Sequence, residues 1–230
     1  MHKIFFMKKV VFVGSGAIGT AVGNVLARKG IDDITLLSIE EEVVDSINNQ
    51  RLNINYFPNI KLSRNLKATT DIEILKDADV IFMAIPSTAV VGYLFDKKDY
   101  INPKAIIVNL AKGFGKGDCL IPNCLVGHFP NTLMMMKGPS FAREIINRQE
   151  TGFTLASHFN DNFTAVDELF ENTNVRFDFP ASVFEVVLSG CRSSHLHHTA
   201  HDKENAENKL ELLGISHLKK RPFAYLSGGQ

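Results

Sequence analysis

Val10-Val11-Phe12-Val13-Gly14-Ser15-Gly16-Ala17-Ile18-Gly19 is the stretch of the sequence that decides the fold. Four apolar residues of strand length run directly into the pattern Gly-x-Gly-x-x-Gly. Small and apolar residues at helical spacing follow over residues 17–29, and Lys29-Gly30 is a suitable end for a helix. The stretch therefore predicts a buried strand, a glycine turn and a helix, which together bind the pyrophosphate of a dinucleotide.

Each glycine of this turn has its own physical role. Gly14 permits the tight turn, Gly16 lets the backbone approach a pyrophosphate, and Gly19 lets the helix pack closely on the strand. The anion would sit on the free N–H groups at the helix N-terminus. These three glycines and Ser15 are therefore predicted cofactor-binding residues, and a glycine turn that holds no ligand is the alternative.

Further apolar runs of strand length alternate with helix-like segments along the first 180 residues. Strands that are apolar on both faces predict a parallel sheet covered by helices on both sides. With right-handed crossovers this is a doubly wound α/β domain of the Rossmann type, predicted for residues 1–190. Residues 191–230 are predicted to be a linker followed by an unrelated helical tail. The predicted strands are residues 10–13, 34–37, 80–85, 105–110, 132–136 and 152–156.

Composition excludes several classes of protein. Lys+Arg and Asp+Glu each number 25, so the formal net charge is zero and a dedicated nucleic-acid binder is not expected. No apolar run is long enough to span a bilayer. Apolar residues make up 45% of the chain, which is enough for a packed core.

Neither the cysteines nor the histidines predict a metal site. The three cysteines, Cys119, Cys124 and Cys191, are too sparse for a disulfide framework and predict reduced thiols in a cytoplasmic protein. His197 and His201 are four residues apart, but nothing else in the sequence indicates a metal, and a solvated linker is the favoured interpretation.

The end of the second predicted strand bears on the choice between NAD and NADP. An acidic residue there would bind the adenosine ribose of NAD, whereas a basic one would bind the 2′-phosphate of NADP. The strand ends in Leu37-Ser38-Ile39-Glu40 with no Arg or Lys nearby, so NAD or NADP is predicted and NAD is favoured. Glu40 is either that ribose ligand or part of the start of the next helix, where acidic residues suit the helix dipole.

Four further segments occur in an order that is specific to one family. With the glycine turn, they resemble bacterial-type NAD(P)-dependent glycerol-3-phosphate dehydrogenase over residues 8–190. The resemblance implies interconversion of sn-glycerol 3-phosphate and dihydroxyacetone phosphate, for glycerophospholipid synthesis. The segments are Asn53-Ile54-Asn55-Tyr56-Phe57-Pro58, Ala84-Ile85-Pro86-Ser87, Asn109-Leu110-Ala111-Lys112-Gly113 and Gly138-Pro139-Ser140-Phe141-Ala142-Arg143-Glu144.

The resemblance also implies roles for individual residues. Lys112 would contact both cofactor and substrate and act in catalysis, because its ammonium can stabilise negative charge on the substrate oxygen. Without the resemblance, a surface lysine would be the better interpretation. Gly138 and Ser140 would hold the substrate, and Ser140 could also cap the following helix. The remaining cofactor contacts would be Ala17, Ile18, Ile39, Pro86 and Ala142.

The sequence departs from the family near residue 190. The family has a second, helical domain that supplies another lysine, and Ser193 stands where that lysine is expected. About forty residues remain, which are too few for that domain, and residues 210–230 resemble the signature region of ABC transporter ATPases. We therefore expect a truncated dehydrogenase, and the alternative is a module that binds NAD(H) without turnover. Apolar surface left uncovered would favour association into a homo-oligomer.

Overall fold

A computed structural model describes residues 8–31, 33–157, 163–178 and 200–219 of the chain. The chain divides into two compact units, one that ends at Phe177 and one that begins at Asp178. The predicted boundary at residue 190 lies outside the described residues and stays a prediction. The first unit contains the glycine turn and every residue predicted to bind cofactor or substrate.

Eight strands in the described part of the chain form one sheet, in the order β3-β2-β1-β4-β5-β6-β7-β8. The pairs from β3 across to β6 are all parallel, with Val10 of β1 opposite Ile34 of β2 and Val80 of β4. This arrangement confirms the predicted doubly wound α/β fold. The strands are β1 Val10–Val13, β2 Ile34–Leu37, β3 Leu66–Thr69, β4 Val80–Met83, β5 Ile106–Asn109, β6 Leu133–Lys137, β7 Thr151–Ser157 and β8 Val175–Asp178.

Strand β7 runs antiparallel to β6, although the apolar runs predicted parallel strands throughout. The connection between the two strands contains a helix of only five residues, Ala142–Ile146, which is short for a parallel crossover. Burial in β7 alternates from Thr151 to Leu155, as in a strand covered on one face. An apolar run shows that a strand is buried but does not show its direction, which explains the error.

Helices of the first unit cover the sheet and join its strands. The α-helices are α1 Ala17–Lys29, α2 Glu41–Asp45, α3 Ser87–Asp96, α4 Ile121–Leu125, α5 Ala142–Ile146, α6 Thr164–Phe170 and α7 Ala200–Leu212. Helices α1 to α6 belong to the first unit, and α7 belongs to the second unit. A π-helical turn, Ser46–Gln50, follows α2, and 3₁₀ turns span Ile72–Asp77, Lys98–Tyr100, Lys116–Asp118 and Ser216–Leu218. None of the helices in the described ranges is long and apolar enough to cross a bilayer.

The core has two parts, one on each face of the sheet. On one face the ring of Phe12 stacks on that of Phe82 with centroids 4.6 Å apart, and Phe170 of α6 meets Phe82 edge-on at 6.1 Å. On the other face Val11 and Ile81 pack in a separate apolar cluster. Apolar side chains thus hold β1 and β4 from both sides, and the turn that follows β1 rests on a rigid base.

Helix α5 packs along α1. Its buried residues Ile145 and Ile146 belong to the same core cluster as Val22 and Leu26 of α1. The guanidinium of Arg28 donates from Nη1 to the carbonyl oxygen of Ile146 at 3.2 Å. The two helices that follow β1 and β6 are therefore joined by an apolar contact and a hydrogen bond.

The second unit contains α7, a largely polar helix with Ala206 and Leu210 buried on one face. Lys219 pairs with Glu207 of the same unit. A linker or exposed helix was predicted over residues 192–209, and a helix does occupy 200–212; residues 192–199 lie outside the described ranges. Residues 220–230, which carry most of the ABC-like resemblance, also lie outside them, so that resemblance stays a prediction.

Cys119 and Cys124 form a disulfide with their Cα atoms 6.7 Å apart, so the prediction of reduced thiols is wrong for this pair. The N–H of Gly115 donates to the carbonyl of Cys119 at 2.8 Å, and α4 begins directly after Leu120. This fold-back brings together two sulfurs that are five residues apart. Cys191 lies outside the described residues.

Histidine and metal chemistry can be judged only in part. His195, His197 and His198 fall outside the described ranges, and His201 lies in α7. Within those ranges, no group of three or more His, Cys, Asp or Glu side chains could hold a metal ion.

Candidate functional site

The predicted site residues lie at the carboxyl edge of the parallel sheet. The glycine turn follows β1, Ile39 follows β2, Pro86 follows β4 and Lys112 follows β5. Gly138 and Ser140 follow β6 at the same edge. Ligands of open α/β sheets bind in the crevice outside these strand ends, so the fold collects the residues where a ligand is expected.

Two glycines of the turn leave no room for a side chain. Gly14 has a φ of +110°, and a Cβ there would lie 2.7 Å from the carbonyl oxygen of Ala84. A Cβ on Gly19 would lie 2.3 Å from the carbonyl oxygen of Gly14. The tight turn and the close approach of α1 to β1 therefore depend on the absence of side chains at these two positions.

Buried hydrogen bonds fix the turn in place. The N–H of Gly14 donates to the carbonyl of Leu37 at 2.8 Å, and the hydroxyls of Ser15 and Ser38 are 2.7 Å apart. Ser15 is thus held by the residue that follows β2, and its hydroxyl is hydrogen-bonded within the protein. The carbonyl of Ser15 also accepts hydrogen bonds from Thr20 Oγ1 at 2.9 Å and from Asn53 Nδ2 at 2.8 Å.

Asn53 positions the glycine turn, a role that the sequence did not reveal. Its side chain is fully buried, and Nδ2 also donates to Thr20 Oγ1 at 2.8 Å. In the sequence, the segment Asn53–Pro58 contributes only to the family resemblance. A buried asparagine that ties the turn to α1 depends on a contact between residues 38 positions apart, which no local pattern shows.

The N-terminus of α1 has the properties of a pyrophosphate site. The helix has 13 residues, no acidic residue in its first turn and no side-chain cap at Gly16. Its first N–H groups and the positive end of its dipole are therefore available to an anion. A Cβ on Gly16 would meet only the ring of Tyr56, at 3.9 Å, so there is space above the turn. Ala17 and Ile18 begin the helix here, and the residues present fit a dinucleotide.

The adenosine end of the predicted cofactor site lies after β2. Ile39 is 96% exposed at the tip of that strand. Glu40 immediately precedes α2; its N–H donates to Ser38 Oγ at 3.1 Å, and its Oε2 accepts from Asn55 Nδ2 at 3.1 Å. Glu40 thus lies at a helix start and at the strand end, so both interpretations of its role remain, and the preference for NAD stays a prediction.

Lys112 joins the ends of β5 and β6. The chain turns after β5 because Asn109 Oδ1 accepts the N–H of Ala111 at 3.0 Å. The exposed Lys112 then donates from Nζ to the carbonyl oxygen of Ser140 at 2.7 Å and lies 5.6 Å from the ring centroid of Phe141. The structure therefore brings together the predicted catalytic lysine and the predicted substrate segment, which are 28 residues apart in sequence.

Lys137 is a second lysine at this place, and sequence reasoning missed it. It ends β6, is half-buried, and donates from Nζ to the carbonyl oxygen of Ala111. Burial, and then the positive charge of Lys112, lower the pKa of Lys137 to about 8. The signal in the sequence was a lysine placed between an apolar strand and Gly138. The site thus contains two lysines, and burial and charge hold the pKa of one of them well below the usual lysine value.

The segment Gly138–Ala142 is held against β7. A Cβ on Gly138 would lie 2.4 Å from the carbonyl oxygen of Gly152, so only glycine fits there. Ser140 is buried, and its hydroxyl donates back to the carbonyl of Gly138 at 3.4 Å. Phe141, without a capping side chain, precedes α5, which begins at Ala142. The suggestion that Ser140 caps this helix is therefore wrong, because its hydroxyl points to the preceding turn.

A parallel sheet with a glycine turn and a free helix N-terminus at its carboxyl edge defines a dinucleotide-binding domain of the Rossmann type. Comparison with known families is more specific. The family described as NAD-dependent glycerol-3-phosphate dehydrogenase N-terminus matches residues 9–163, and the chain belongs to this family. The resemblance stated from the sequence is therefore confirmed.

Curated relatives agree with this assignment. A glycerol-3-phosphate dehydrogenase, NAD(P)+, of Leptospira biflexa is 37% identical over 188 residues, which is 79% of this chain and 56% of that protein. One of the same name from Bacillus subtilis is 32% identical over 190 residues, 80% of this chain and 55% of that protein. The chain thus spans about half the length of these relatives. Their names carry NAD(P)+, which agrees with the predicted NAD or NADP.

Solved structures show the same fold. The chain is similar to glycerol-3-phosphate dehydrogenase from Coxiella burnetii with a TM-score of 0.69 and 24% identity, over 90% of this chain and 70% of that one. The corresponding yeast enzyme gives a TM-score of 0.67 and 21% identity, over 96% of this chain and 72% of that one. At these identities the similarity concerns the fold alone.

Proposed function

We propose that this chain binds NAD or NADP at the glycine turn and takes part in the interconversion of sn-glycerol 3-phosphate and dihydroxyacetone phosphate. The observation that carries the proposal is the 2.7 Å hydrogen bond from Lys112 Nζ to the carbonyl of Ser140. It places an ammonium between the end of β5 and the segment that follows β6, at the edge where the glycine turn also lies. The family to which the chain belongs supports the same activity.

Each part of the site has a task in this reaction. When bound, the nicotinamide cofactor supplies or accepts the hydride. The N–H groups at the start of α1 hold its pyrophosphate, and Tyr56 and Ile39 border the space above the turn and the adenosine end. The segment Gly138–Ser140 positions the substrate, since it is fixed against β7.

Lys112 supplies the electrostatic part of catalysis. Its ammonium donates to the Ser140 carbonyl and is exposed, so a further N–H can reach the substrate oxygen. As that oxygen gains negative charge, the fixed positive charge stabilises it more than it stabilises the ground state. Ala142, two residues after Ser140 at the start of α5, would border the cofactor.

Replacing Lys112 by alanine tests the proposal. Lys104→Ala is the matched control, because Lys104 is also exposed but lies before β5, at the opposite end of that strand. We expect Lys112→Ala to abolish NADH oxidation driven by dihydroxyacetone phosphate and to leave calorimetric NADH binding intact. Lys104→Ala should leave both unchanged. An active Lys112→Ala variant would remove the assigned role, and absence of NADH binding by the unmodified chain would refute the whole proposal.

A second function is favoured by one feature of the sequence. Ser193 stands where the family has a further lysine, and a serine without a partner does not replace that base. The alternative is a domain that binds NAD(H) without turnover. NADH binding by the unmodified chain without any oxidation by dihydroxyacetone phosphate would select this alternative.

A cytoplasmic location and association with further copies of the chain are also part of the proposal. Large apolar side chains are exposed near the candidate site, including Phe114 and Phe141, which is 66% exposed. Such residues favour contact with another surface. Light scattering should show an oligomer, and a monomer at high concentration would exclude association. Cell fractionation would test the location.

A further inference from the structure

A cleft with a cavity volume of about 470 Å³ lies in the first unit, away from the carboxyl edge of the sheet. We call it the basic cleft. Five of its nine lining residues are arginine or lysine and none is acidic, whereas the chain as a whole has equal numbers of both charges. Positive charge is therefore concentrated in the walls of this cleft. The lining residues are Ala27, Arg28, Arg51, Lys61, Leu62, Ser63, Arg64, Asn65 and Arg148.

The basic cleft is separate from the candidate cofactor site. Arg28 lies in the last turn of α1, whereas the pyrophosphate is proposed to sit at the first turn, after Gly16. Twelve residues of helix separate these two positions, which corresponds to about 18 Å along the axis. A ligand in the basic cleft would therefore not compete with the cofactor for the glycine turn.

The cations that form the walls are held by uncharged partners. Arg28 donates to the carbonyls of Ile146 at 3.2 Å and of Lys61 at 3.3 Å. Arg51 donates from Nε and Nη2 to the carbonyl of Leu62 at 3.0 and 2.7 Å. These bonds orient the guanidinium groups, but backbone carbonyls do not neutralise them. The walls are therefore preorganised and carry uncompensated positive charge.

Two further guanidinium groups are free to meet a ligand. The side chains of Arg64 and Arg148 are exposed and make no hydrogen bond or ion pair with any residue that the structure describes. Arg148 lies close enough to Arg28 for their charges to repel. Burial first, and this repulsion second, lower the pKa of Arg28. An anion between them would relieve the repulsion.

We propose that the basic cleft binds a compact, soluble anion that carries at least two phosphate groups. Arginine guanidinium groups bind phosphate oxygens in pairs, and several of them around one cleft match several phosphates. The volume is that of a small-molecule site. A long nucleic acid would need a basic surface that extends beyond the cleft, and the balanced charge of the chain does not indicate one.

Titration calorimetry of the full chain with inorganic pyrophosphate tests the proposal. The double variant Arg64→Gln/Arg148→Gln removes the two unpaired charges, and both side chains are exposed, so the fold should persist. The matched control Lys67→Gln/Lys104→Gln removes two charges from exposed lysines outside the cleft. Saturating NADH is added in parallel titrations, so that pyrophosphate bound at the glycine turn is recognised by competition.

We expect the unmodified chain and the control to bind pyrophosphate with equal affinity. Both should bind it more tightly than inorganic phosphate, and both should still bind it when NADH is present. The cleft variant should bind about tenfold more weakly for each guanidinium group that it removes from the ligand. Its NADH binding should be unchanged. Equal weakening in both variants, weakening in neither, displacement by NADH, or no binding by the unmodified chain would each overturn the proposal. The result does not depend on dehydrogenase activity.

Discussion

Replacement of Lys137 by methionine removes a positive charge that destabilises the folded chain. The Nζ atom of Lys137 donates to the carbonyl of Ala111, and the pKa falls to about 8 because of burial and of the neighbouring Lys112. Methionine has a similar length and no charge, so it fills the space of the lysine stem. The change therefore tests whether the fold disfavours the ammonium form of this side chain.

The magnitude follows from the lowered pKa. A fall from 10.5 to about 8 corresponds to about 3 kcal/mol against the charged form in the folded state. The side chain keeps contact with solvent, so screening reduces the effective penalty to about 1–2 kcal/mol. Removal of the hydrogen bond to Ala111 is a separate cost that does not depend on pH to first order.

The pH dependence has a definite sign. Below about pH 8 both the folded and the unfolded chain carry the proton, so the penalty is fully present. As pH rises from about 8 towards 10.5, the folded chain loses the proton while the unfolded chain keeps it, and the unmodified protein gains stability. The advantage of Lys137→Met therefore decreases over this window and disappears above it.

Urea unfolding followed by circular dichroism measures this difference for both proteins. We expect the stability of Lys137→Met relative to the unmodified chain to be about 1 kcal/mol more favourable at about pH 7 than at about pH 9.5. Lys104→Met, at an exposed lysine, serves as the control and should show no such change. A difference between Lys137→Met and the unmodified chain that is the same at both pH values would refute the reasoning.

Two further predictions concern the glycine turn. Gly19→Ala places a Cβ 2.3 Å from the carbonyl of Gly14, so calorimetry should show loss of NADH binding. The control is Gly92→Ala in α3, where a Cβ would have no neighbour within 4 Å; it should still bind NADH, and its free energy of unfolding should rise by about 0.5–1 kcal/mol. NADH binding by Gly19→Ala would contradict the assignment of the turn. Asn53→Ala removes one of the two donors to the Ser15 carbonyl and leaves the buried Thr20 Oγ1 without a donor, so urea unfolding should show a loss of about 1–3 kcal/mol. An unchanged unfolding midpoint would show that these bonds do not hold the turn.

The strands near the glycine turn were predictable because the fold buries them on both faces, and burial on both faces requires the continuous apolar runs that the sequence shows. The strand Val10–Val13 is apolar at every position, and it is buried on both faces as predicted. Strand β3, Leu66–Thr69, was not predicted, since its exposed Lys67 interrupts the apolar pattern. Strand β8 contains the exposed Arg176 and was missed for a similar reason. Strands nearer the edges of the sheet carry weaker signals than central ones.

The sequence predicted where the candidate site lies, but not the hydrogen bonds and pKa values of its side chains. The family resemblance implied that Lys112, Ser140 and the glycine turn act on the same ligands, and in the structure the strands before them end at one edge of the sheet. The hydrogen bond between the hydroxyls of Ser15 and Ser38 was not expected, and neither was the lowered pKa of Lys137. Both properties arise from contacts between residues on different strands. A sequence shows which residue types are present, but burial and neighbouring charge determine how they behave.

The contact between α1 and α5 links events that are distant along the chain. The first turn of α1 faces the proposed pyrophosphate, and α5 begins two residues after Ser140. The two helices share a core, so a displacement of one is transmitted to the packing of the other. Arg28 of α1 and Arg148, just beyond α5, both line the basic cleft. An anion that bridged these two arginines would hold the far ends of the same two helices together.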